Sequence, residues 1–567
     1  MKRFLIFFAI ALAGALMGWR TYLAAAPAPQ PLSKYVPEGP IVYLEASDLS
    51  ALLGDWNSSA QKKQWLTSDN HEVFSRSRLF LRLKGASDQF AAAAGIPPDM
   101  NLLSQVAGER SVFALYDIGN LQFLYITYLP SAKSMQTALW QTRSKFEPRS
   151  AGGVNFYLRR DPESRREVAF AVAGDYLLLS TREDLMAGAL QLMSGKQDRT
   201  VEGDQWWAQS TAAAGPTGDL RMVLNLQDLV PNGYFRTYWV QQNITDLRQY
   251  SASISDLFCS GRRYREERVL IRKEQAKQAS SPDGPAAVAD VVRLVPAEAS
   301  AYLAVANPTS GASFALLESK LLAAHLGTVA PSRVAPPVQL ASGGEQDGGS
   351  DLETTIDQAP VERPFAQPSV SALKDLLDKT PLLASLQVQS TAPDQAGVFI
   401  RIHSAVILVA GSGWNQAAVQ SALTDFVVPG LTASQLGVGW KQESGYQQLD
   451  GLWPLVASVR DKYLLVSDDP RLAEGILANF SRKSDRRPGD LLAGFDHQRE
   501  GVNFARLSRV VDRPSATMAD DRRVEPQFFS GNMASLSTTL AAVSSEQIEV
   551  RSQENKERQT VIYEWAQ

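Results

Sequence analysis

Two stretches of this chain, far apart in sequence, have almost the same order of residues. The first reads GDYLLLSTREDLMAGAL from Gly174, and the second reads DKYLLVSDDPRLAEGIL from Asp461. Each contains a short apolar word followed by polar residues and then by apolar residues at helical spacing. A repeat of this kind restricts the fold, because both copies must bury the same positions in the same elements.

Other words recur in the same order in both halves of the chain. They are VP and YL at 36 and 43 against 295 and 302, MQTAL at 135–139 against VQSAL at 419–423, and ER at 267 against 557. The spacing between partners grows after the first match, which predicts an insertion between residues 303 and 419. Residues 341–368 are rich in Gly, Pro and acidic residues, a composition typical of a flexible loop.

The repeat predicts two tandem homologous modules, and a chain of 567 residues is too long for one compact core. The predicted segments are an apolar start with a Pro/Ala linker at 1–32, a first module at 33–274, a linker at 275–289 and a second module at 290–567. The second module carries the flexible insertion near 341–368. The linker contains a Ser-Ser-Pro-Asp-Gly-Pro core, which is a strong turn and loop signal.

Hairpin signals and amphipathic segments alternate along each module, which predicts an α+β fold with a mainly antiparallel sheet covered by helices. Leu83 and Phe90 are among the apolar positions of a predicted helical segment at 61–95. The other predicted elements of the first module are a strand at 41–46, a hairpin around 118–120, a helix at 131–146 with Ser131 as N-cap, a helix at 183–193, and a helical stretch from 234 to 260.

Within the repeated phrase, the nearly continuous apolar word at Tyr176–Ser180 predicts a central strand buried on both faces. Thr181 and its counterpart Asp468 are predicted to cap the helix that follows each strand. Gly188 and Gly475 lie inside those helices, where glycine costs about 1 kcal/mol relative to alanine. Close packing against the sheet is the favoured reason for both glycines, and a ligand that approaches the backbone is the alternative.

The chain begins with Lys2 and Arg3 before an unbroken apolar run at 4–19. At about 1.5 Å per residue this run spans about 24 Å, slightly less than a bilayer core of about 30 Å. We expect an uncleaved signal-anchor that holds the chain in the bacterial cytoplasmic membrane by one pass, with the bulk periplasmic or otherwise extracytoplasmic. The alternative is a secretory signal cleaved near residues 24–26, with the protein secreted.

A search for catalytic and ligand-binding patterns assigns no catalytic, cofactor-binding or metal residue, and no cofactor. The four histidines form no HExxH pattern, and the sequence contains no GxSxG word, Walker A sequence or GxGxxG fingerprint. The adjacent carboxylates Asp468 and Asp469 align with Thr181 and Arg182, so a site shared by both modules is not expected there. A site in one module alone stays open.

The composition excludes some classes of partner. A formal net charge of −4 disfavours a nucleic-acid partner, because such proteins carry a basic face. The basic clusters that begin at Gly261 and Ser481 also contain acidic residues or a Pro-Gly turn, and are expected to be solvated surface. Cys259 lies in an apolar context and is expected to be buried. Trp206-Trp207 is expected to pack in the core.

The apolar start, the VPxxxxxYL opening and the YLLxS strand followed by a helix resemble a group of large exported bacterial proteins known only as a domain of unknown function. That resemblance implies export and brings no active-site residues. We expect an uncharacterised, non-enzymatic cell-envelope protein that acts by binding, as a scaffold or assembly factor. Its expected partners are the membrane, through residues 4–19, and an envelope protein. The alternatives are an exported hydrolase with a dispersed site and a carrier of an apolar ligand such as lipid.

Overall fold

A computed structural model describes residues 30–67, 71, 74–76, 78–238, 247–274, 281–322, 371–393, 400–431, 439–449, 454–500, 542–553 and 555–565. The chain forms two compact units. The first combines the chain up to Asp55 with Arg82–Ala213 and Leu220–Arg248. The second combines Trp56–Leu81, Ala214–Asp219 and the chain from Gln249 onward.

Helices and strands are interspersed along the whole described chain. The α-helices are α1 Leu49–Ser58, α2 Ala60–Leu66, α3 Arg78–Ala94, α4 Met100–Val106, α5 Ser131–Ser134, α6 Ala138–Gln141, α7 Glu183–Met193, α8 Gln205–Ala213, α9 Leu226–Leu229, α10 Gly233–Tyr238, α11 Gly284–Val291, α12 Ser310–Leu317, α13 Ser371–Asp378, α14 Gln416–Leu431 and α15 Pro470–Ala478. The strands are β1 Val42–Ala46, β2 Ser111–Asp117, β3 Gln122–Tyr128, β4 Glu147–Ala151, β5 Val154–Arg160, β6 Glu167–Ala173, β7 Tyr176–Ser180, β8 Leu220–Asn225, β9 Tyr250–Ser260, β10 Arg263–Arg272, β11 Ala301–Ala306, β12 Leu382–Pro393, β13 Ile400–Ala410, β14 Trp440–Gln442, β15 Gln447–Leu449, β16 Leu455–Arg460, β17 Tyr463–Ser467, β18 Leu491–Asp496, β19 Val543–Gln553 and β20 Lys556–Trp565.

Each unit is built on an extended antiparallel sheet. In the first unit the strand order is β4-β5-β6-β7-β3-β2-β1-β8. In the second unit it is β14-β15-β16-β17-β13-β12-β11-β18-β19-β20-β10-β9. Every pairing between described strands is antiparallel, so the predicted α+β class with an antiparallel sheet is confirmed.

The first eight strands of the second unit follow the same spatial order as the strands of the first unit. Strand β11 takes the place of β1, β12 that of β2, and so on to β18 in the place of β8. In both orders the third strand is joined to the seventh rather than to the fourth. In each sheet, two strands that are adjacent in space are therefore separated in the chain by three further strands.

The repeated apolar word forms a central strand in both units. Strand β7 lies between β3 and β6, and β17 lies between β13 and β16. Four of the five residues of β7 and all five residues of β17 are buried. The prediction of a central strand buried on both faces is confirmed, and α7 also begins and ends as predicted, at Glu183 and Met193.

Two predicted helices are wrong in part. The stretch from Tyr234 to Ser260 is helical up to Tyr238 and again at Leu247, but β9 Tyr250–Ser260 occupies its end; residues 239–246 lie outside the described residues. The word YSASISD places small serines at every second position, and this period of two fits a strand that is buried on both faces. The predicted helix at 131–146 is broken into short turns, and Pro130 rather than Ser131 occupies its N-cap position.

Some predictions fall outside the described residues. These are the apolar run at 4–19, the insertion at 341–368 and the first part of the linker at 275–289. Within the part of the chain that the structure describes, none of the helices has the length and apolar character needed to cross a membrane.

Helices cover the same face of the central strands in each unit. In the first unit, this face contributes Tyr125, Leu177 and Leu179 to an apolar cluster with α3, α4 and α6. In the second unit, it contributes Val406, Leu464 and Val466 to a cluster with α12, α13 and α14. The packing between this face and its helices differs between the two units. The candidate site lies at this face in the first unit.

Candidate functional site

The candidate site is a cavity of about 410 Å³ in the first unit, between the sheet and its helices. We call it the first-unit cavity. It is partly open, and its volume falls within the range of about 300–1,000 Å³ that small-molecule sites occupy. It is lined by Leu49, Leu53, Leu83, Ala86, Ser87, Phe90, Pro98, Leu102, Leu103, Val106, Phe113, Leu121, Phe123, Tyr125, Arg166, Glu167, Val168, Leu179 and Thr181.

The helical wall follows from the spacing of apolar residues in α3. Leu83, Ala86, Ser87 and Phe90 recur at intervals of three and four residues, so they lie on one face of the helix. Two of the four are small, and small side chains leave space between the helix and the sheet. The sequence predicted the helix and its apolar positions, but it did not predict that the face would border a void.

Aromatic rings form the sheet side of the cavity. Phe113 on β2 and Phe123 on β3 have ring centroids 5.0 Å apart, and both side chains are only half-buried. Tyr125 turns its hydroxyl away to donate a hydrogen bond to the carbonyl of Val106 at 2.9 Å. The phenol is therefore satisfied by the protein, and its ring presents apolar surface to the cavity.

One residue of the cavity wall has an unusual backbone conformation. Leu121, in the turn between β2 and β3, has a φ of 50°. The left-handed region is unfavourable for a bulky side chain and is usually occupied by glycine or asparagine in such turns. A leucine in this conformation is strained, and its side chain forms part of the apolar wall of the cavity. Backbone strain of this kind is concentrated at functional sites.

The polar residues at the rim differ in how well they are paired. Thr181 accepts a hydrogen bond from the backbone N–H of Phe123 at 2.9 Å. Glu167 accepts hydrogen bonds from Arg160 Nε and from the backbone N–H of Glu183, each at 3.0 Å. The side chains of Thr181 and Glu167 are therefore already hydrogen-bonded within the protein. Arg166 is the cationic residue in the lining, and its partners are considered further below.

Ser180 and Ser467, which the repeat aligns, make the same set of hydrogen bonds, each within its own unit. We call this arrangement the strand-end network. The hydroxyl of Ser180 donates to the carbonyl of Phe123 at 3.0 Å and accepts from the N–H of Arg182 at 3.1 Å. The hydroxyl of Ser467 does the same with the carbonyl of Ser404 at 3.0 Å and the N–H of Asp469 at 3.2 Å. Both hydroxyls are fully buried, so their role is to satisfy backbone groups.

Thr181 and Asp468 do not cap the following helices, and that prediction is wrong by one residue. Asp468 Oδ1 accepts from the N–H of Ser404 at 2.7 Å, as Thr181 accepts from Phe123. Each side chain thus completes the hydrogen bonding of the neighbouring strand. Arg182 is the N-cap of α7, without a side-chain cap, whereas Asp469 caps α15 by accepting from two backbone N–H groups.

The two helical glycines contact proline rather than the sheet. A Cβ atom on Gly188 would lie 3.1 Å from Cγ of Pro37. One on Gly475 would first meet Oε1 of Glu298 and would lie 3.2 Å from Cβ of Pro296. The expected close packing is therefore present, but its partner differs from the predicted one. The VP word and the helical glycine, two separate matches of the repeat, meet in each unit.

A carboxylate and a histidine meet at the strand end of the second unit. His403 Nδ1 lies 3.8 Å from Asp468 Oδ1. Burial raises the pKa of Asp468 to about 6, against lowering contributions from the hydrogen bond of Ser404 and from His403. The counterpart of Asp468 in the first unit is Thr181, so this ionisable group exists in one unit only.

The remaining sequence candidates do not form a catalytic or metal centre within the described residues. His497 Nε2 lies 3.5 Å from a carboxylate oxygen of Glu546. Among the described residues, no group of three or more His, Cys, Asp and Glu side chains is arranged to hold a metal ion. Cys259 is exposed rather than buried, because it lies at the end of β9 next to the hairpin turn. Trp206 and Trp207 are buried, as predicted.

Comparison with known proteins gives little. No family model matches the chain, and no curated protein matches it. Among solved structures, it is similar to crystal forms I, III and IV of TP0453, at 14%, 13% and 12% identity. The alignments cover 44%, 44% and 43% of this chain and 81%, 83% and 81% of TP0453, with TM-scores of 0.24, 0.23 and 0.23. At such TM-scores, the similarity supports no inference about this chain.

Proposed function

We propose that this chain is a non-enzymatic binding protein of the cell envelope whose first unit holds a small apolar molecule. The observation that carries the proposal is the first-unit cavity, which is large enough for a ligand and has an almost wholly apolar lining. An apolar ligand that leaves water for such a cavity gains about 25 cal/mol for each Å² of apolar surface removed from solvent. The envelope location rests on the expected signal-anchor at residues 4–19.

Two tandem homologous modules after an N-terminal apolar helix remain part of this proposal. The identical order of eight strands in the two units supports a duplication. Further support comes from β10 and β20, which carry the matched ER words and pair with each other. Arg268 faces Gln559 and Val269 faces Arg558, so the pairing is symmetric between residues that the repeat aligns. In this reading, the two copies diverged in packing, and the first copy carries the larger of the two cavities described.

The hydrolase alternative has less support. The contact of His403 with Asp468 supplies a base and an orienting group, but a serine nucleophile must also lie within hydrogen-bond reach of the base. Of the serines beside this pair, Ser467 uses its hydroxyl in the strand-end network, and Ser404 is buried and contributes its backbone groups to that network. The geometry therefore favours a structural role for this pair.

The binding proposal can be tested with a neutral fluorescent probe, N-phenyl-1-naphthylamine, titrated into the purified full chain in mild detergent. We expect saturable binding by the wild type. Ser87→Trp places an indole inside the cavity and should abolish the binding. Asp88→Trp is the matched control, because Asp88 is exposed on the same helix and should leave the binding intact.

Circular dichroism and thermal unfolding of both variants would show that the fold is retained. Saturable binding that is equally strong in the Ser87→Trp and Asp88→Trp proteins would place the probe elsewhere and contradict the proposal. Absence of saturable binding by the wild type would also contradict it.

A further inference from the structure

Two arginines lie near the first-unit cavity: Arg166 belongs to its lining, and Arg82 is close enough to act electrostatically on Arg166. Arg166 donates from Nε to Oε1 of Gln89 at 2.9 Å and from a terminal nitrogen to the carbonyl of Asn120. Arg82 donates to the carbonyl of Gly119 and lies over the ring of Tyr234, 4.4 Å from its centroid. Within the described part of the chain, neither arginine forms an ion pair; both bind neutral groups.

The two charges are close enough to affect each other. Burial lowers the pKa of Arg166, and the positive charge of Arg82 lowers it further. Both side chains nevertheless stay protonated, because an arginine retains its proton in proteins. The first unit therefore holds two like charges beside an apolar cavity, and an anion placed between them would be attracted by both.

The nearest acidic groups are occupied. Asp117 attracts Arg166 at longer range, but its carboxylate accepts hydrogen bonds from the N–H groups of Gly119 and Asn120 and from the side chain of Asn120. Burial would raise the pKa of Asp117, and these hydrogen bonds outweigh that effect and lower it. Glu167, the acidic residue in the lining, is bound to Arg160 and to the N–H of Glu183. Among the described residues, neither Arg82 nor Arg166 is therefore hydrogen-bonded to a carboxylate.

The geometry points to an amphiphile with an anionic head as the ligand of the first-unit cavity. Its alkyl chain would lie against Phe113, Phe123 and the apolar face of α3, and its carboxylate or phosphate would meet Arg166, with Arg82 behind it. Arginine suits this role because its planar group offers two parallel donors to a carboxylate or a phosphate. This inference rests on the proposed function and specifies the chemical class of its ligand.

The test compares cis-parinaric acid, a fluorescent fatty acid, with its methyl ester, which has the same chain and no charge. The full-length wild type should bind the acid about tenfold more tightly, the effect expected for one charged hydrogen-bonded contact. Arg166→Gln should remove this preference, because the acid loses its charged contact and the ester never made one. Arg165→Gln is the matched control, because it deletes the same charge one residue away on an exposed side chain and should keep the preference.

Each outcome separates the two proposals. If the acid and the ester bind the wild type equally, or if Arg165→Gln reduces the preference as much as Arg166→Gln, the anionic head is ruled out while the apolar ligand stands. If neither probe binds the wild type, the proposed function fails and the inference fails with it. Displacement of the bound acid by oleate alone identifies a carboxylate head, and displacement by oleoyl lysophosphatidate alone identifies a phosphate head.

Discussion

The two units present the same face of the same central strands to helices, and the cavities described in them differ in size. The first unit has a cavity of about 410 Å³ at that face, and the second has one of about 260 Å³ lined by residues of α14 and β14–β16. Leu179 of β7 lines the first-unit cavity, whereas Val466, its counterpart in β17, is fully buried in the cluster with α12, α13 and α14. The strands are nearly identical in sequence, so the difference comes from the covering helices. A central strand of this kind can therefore be a support for a filled core or the floor of a ligand site.

The largest expected effect tests whether the two faces differ in packing. Leu464→Ala should lower the free energy of unfolding by about 2–5 kcal/mol, because it opens a void in a filled cluster. Leu179→Ala should cost less, since that side chain already lacks packing partners on the cavity side. Thermal unfolding, with hydrogen exchange of peptides from β7 and β17, measures both. If both variants lose the same free energy of unfolding, the two faces do not differ in packing as proposed.

A smaller effect concerns the residue at the strand end. The pKa of Asp468 is raised to about 6 in the folded chain from an ordinary value of 3.8, so the folded state holds more protons between these values. Stability that depends on this group should therefore rise as the pH falls from about 6 to about 4.

Asp468→Thr copies the first unit and retains an acceptor for the N–H of Ser404. The variant should be more stable than the wild type by about 1–3 kcal/mol at pH 7, and this advantage should vanish below about pH 4. Unfolding measured across that pH range tests the sign. A constant difference between the two proteins at all pH values would mean that Asp468 does not titrate as described.

The smallest expected effect compares the helical glycines. An alanine at an exposed helical position gains about 1 kcal/mol over glycine. Gly188→Ala and Gly475→Ala should gain much less, because the new methyl group presses on Pro37 in the first case and on Glu298 and Pro296 in the second. Urea unfolding of the two variants provides the measurement. A full gain at either site would show that the proline does not restrain the helix there.

The elements closest to the repeated phrase were predictable because their patterns are local. The apolar word of β7 and the helical spacing of α7 depend on neighbouring residues, and both elements lie where the sequence places them. The same reasoning failed for Tyr234–Ser260, where small serines hide a period of two, and for Cys259, whose exposure depends on its distance from a turn. Local apolar character does not indicate how far an element is covered by others.

The candidate site was less predictable than the fold. Leu83 and Phe90 were recognisable as apolar helical positions, yet nothing local to them indicates an unfilled space, which depends on side chains from helices and strands far apart in sequence. Leu121 and Arg166 gave no signal at all. The first is unusual for its backbone conformation, and the second is unusual because, among the described residues, its hydrogen bonds go to neutral groups.

The sequence by itself determined the α+β class, the central strands and the recurrence of matched words, because each of these follows from short-range periodicity and from comparing the chain with itself. Only the tertiary structure decided that the repeated serines satisfy strand ends, that the helical glycines meet prolines, and that the first unit holds a cavity with Arg166 in its lining. The physical reason is that packing and charge compensation are sums over neighbours in space. Two nearly identical strands acquire different roles when the elements above them differ.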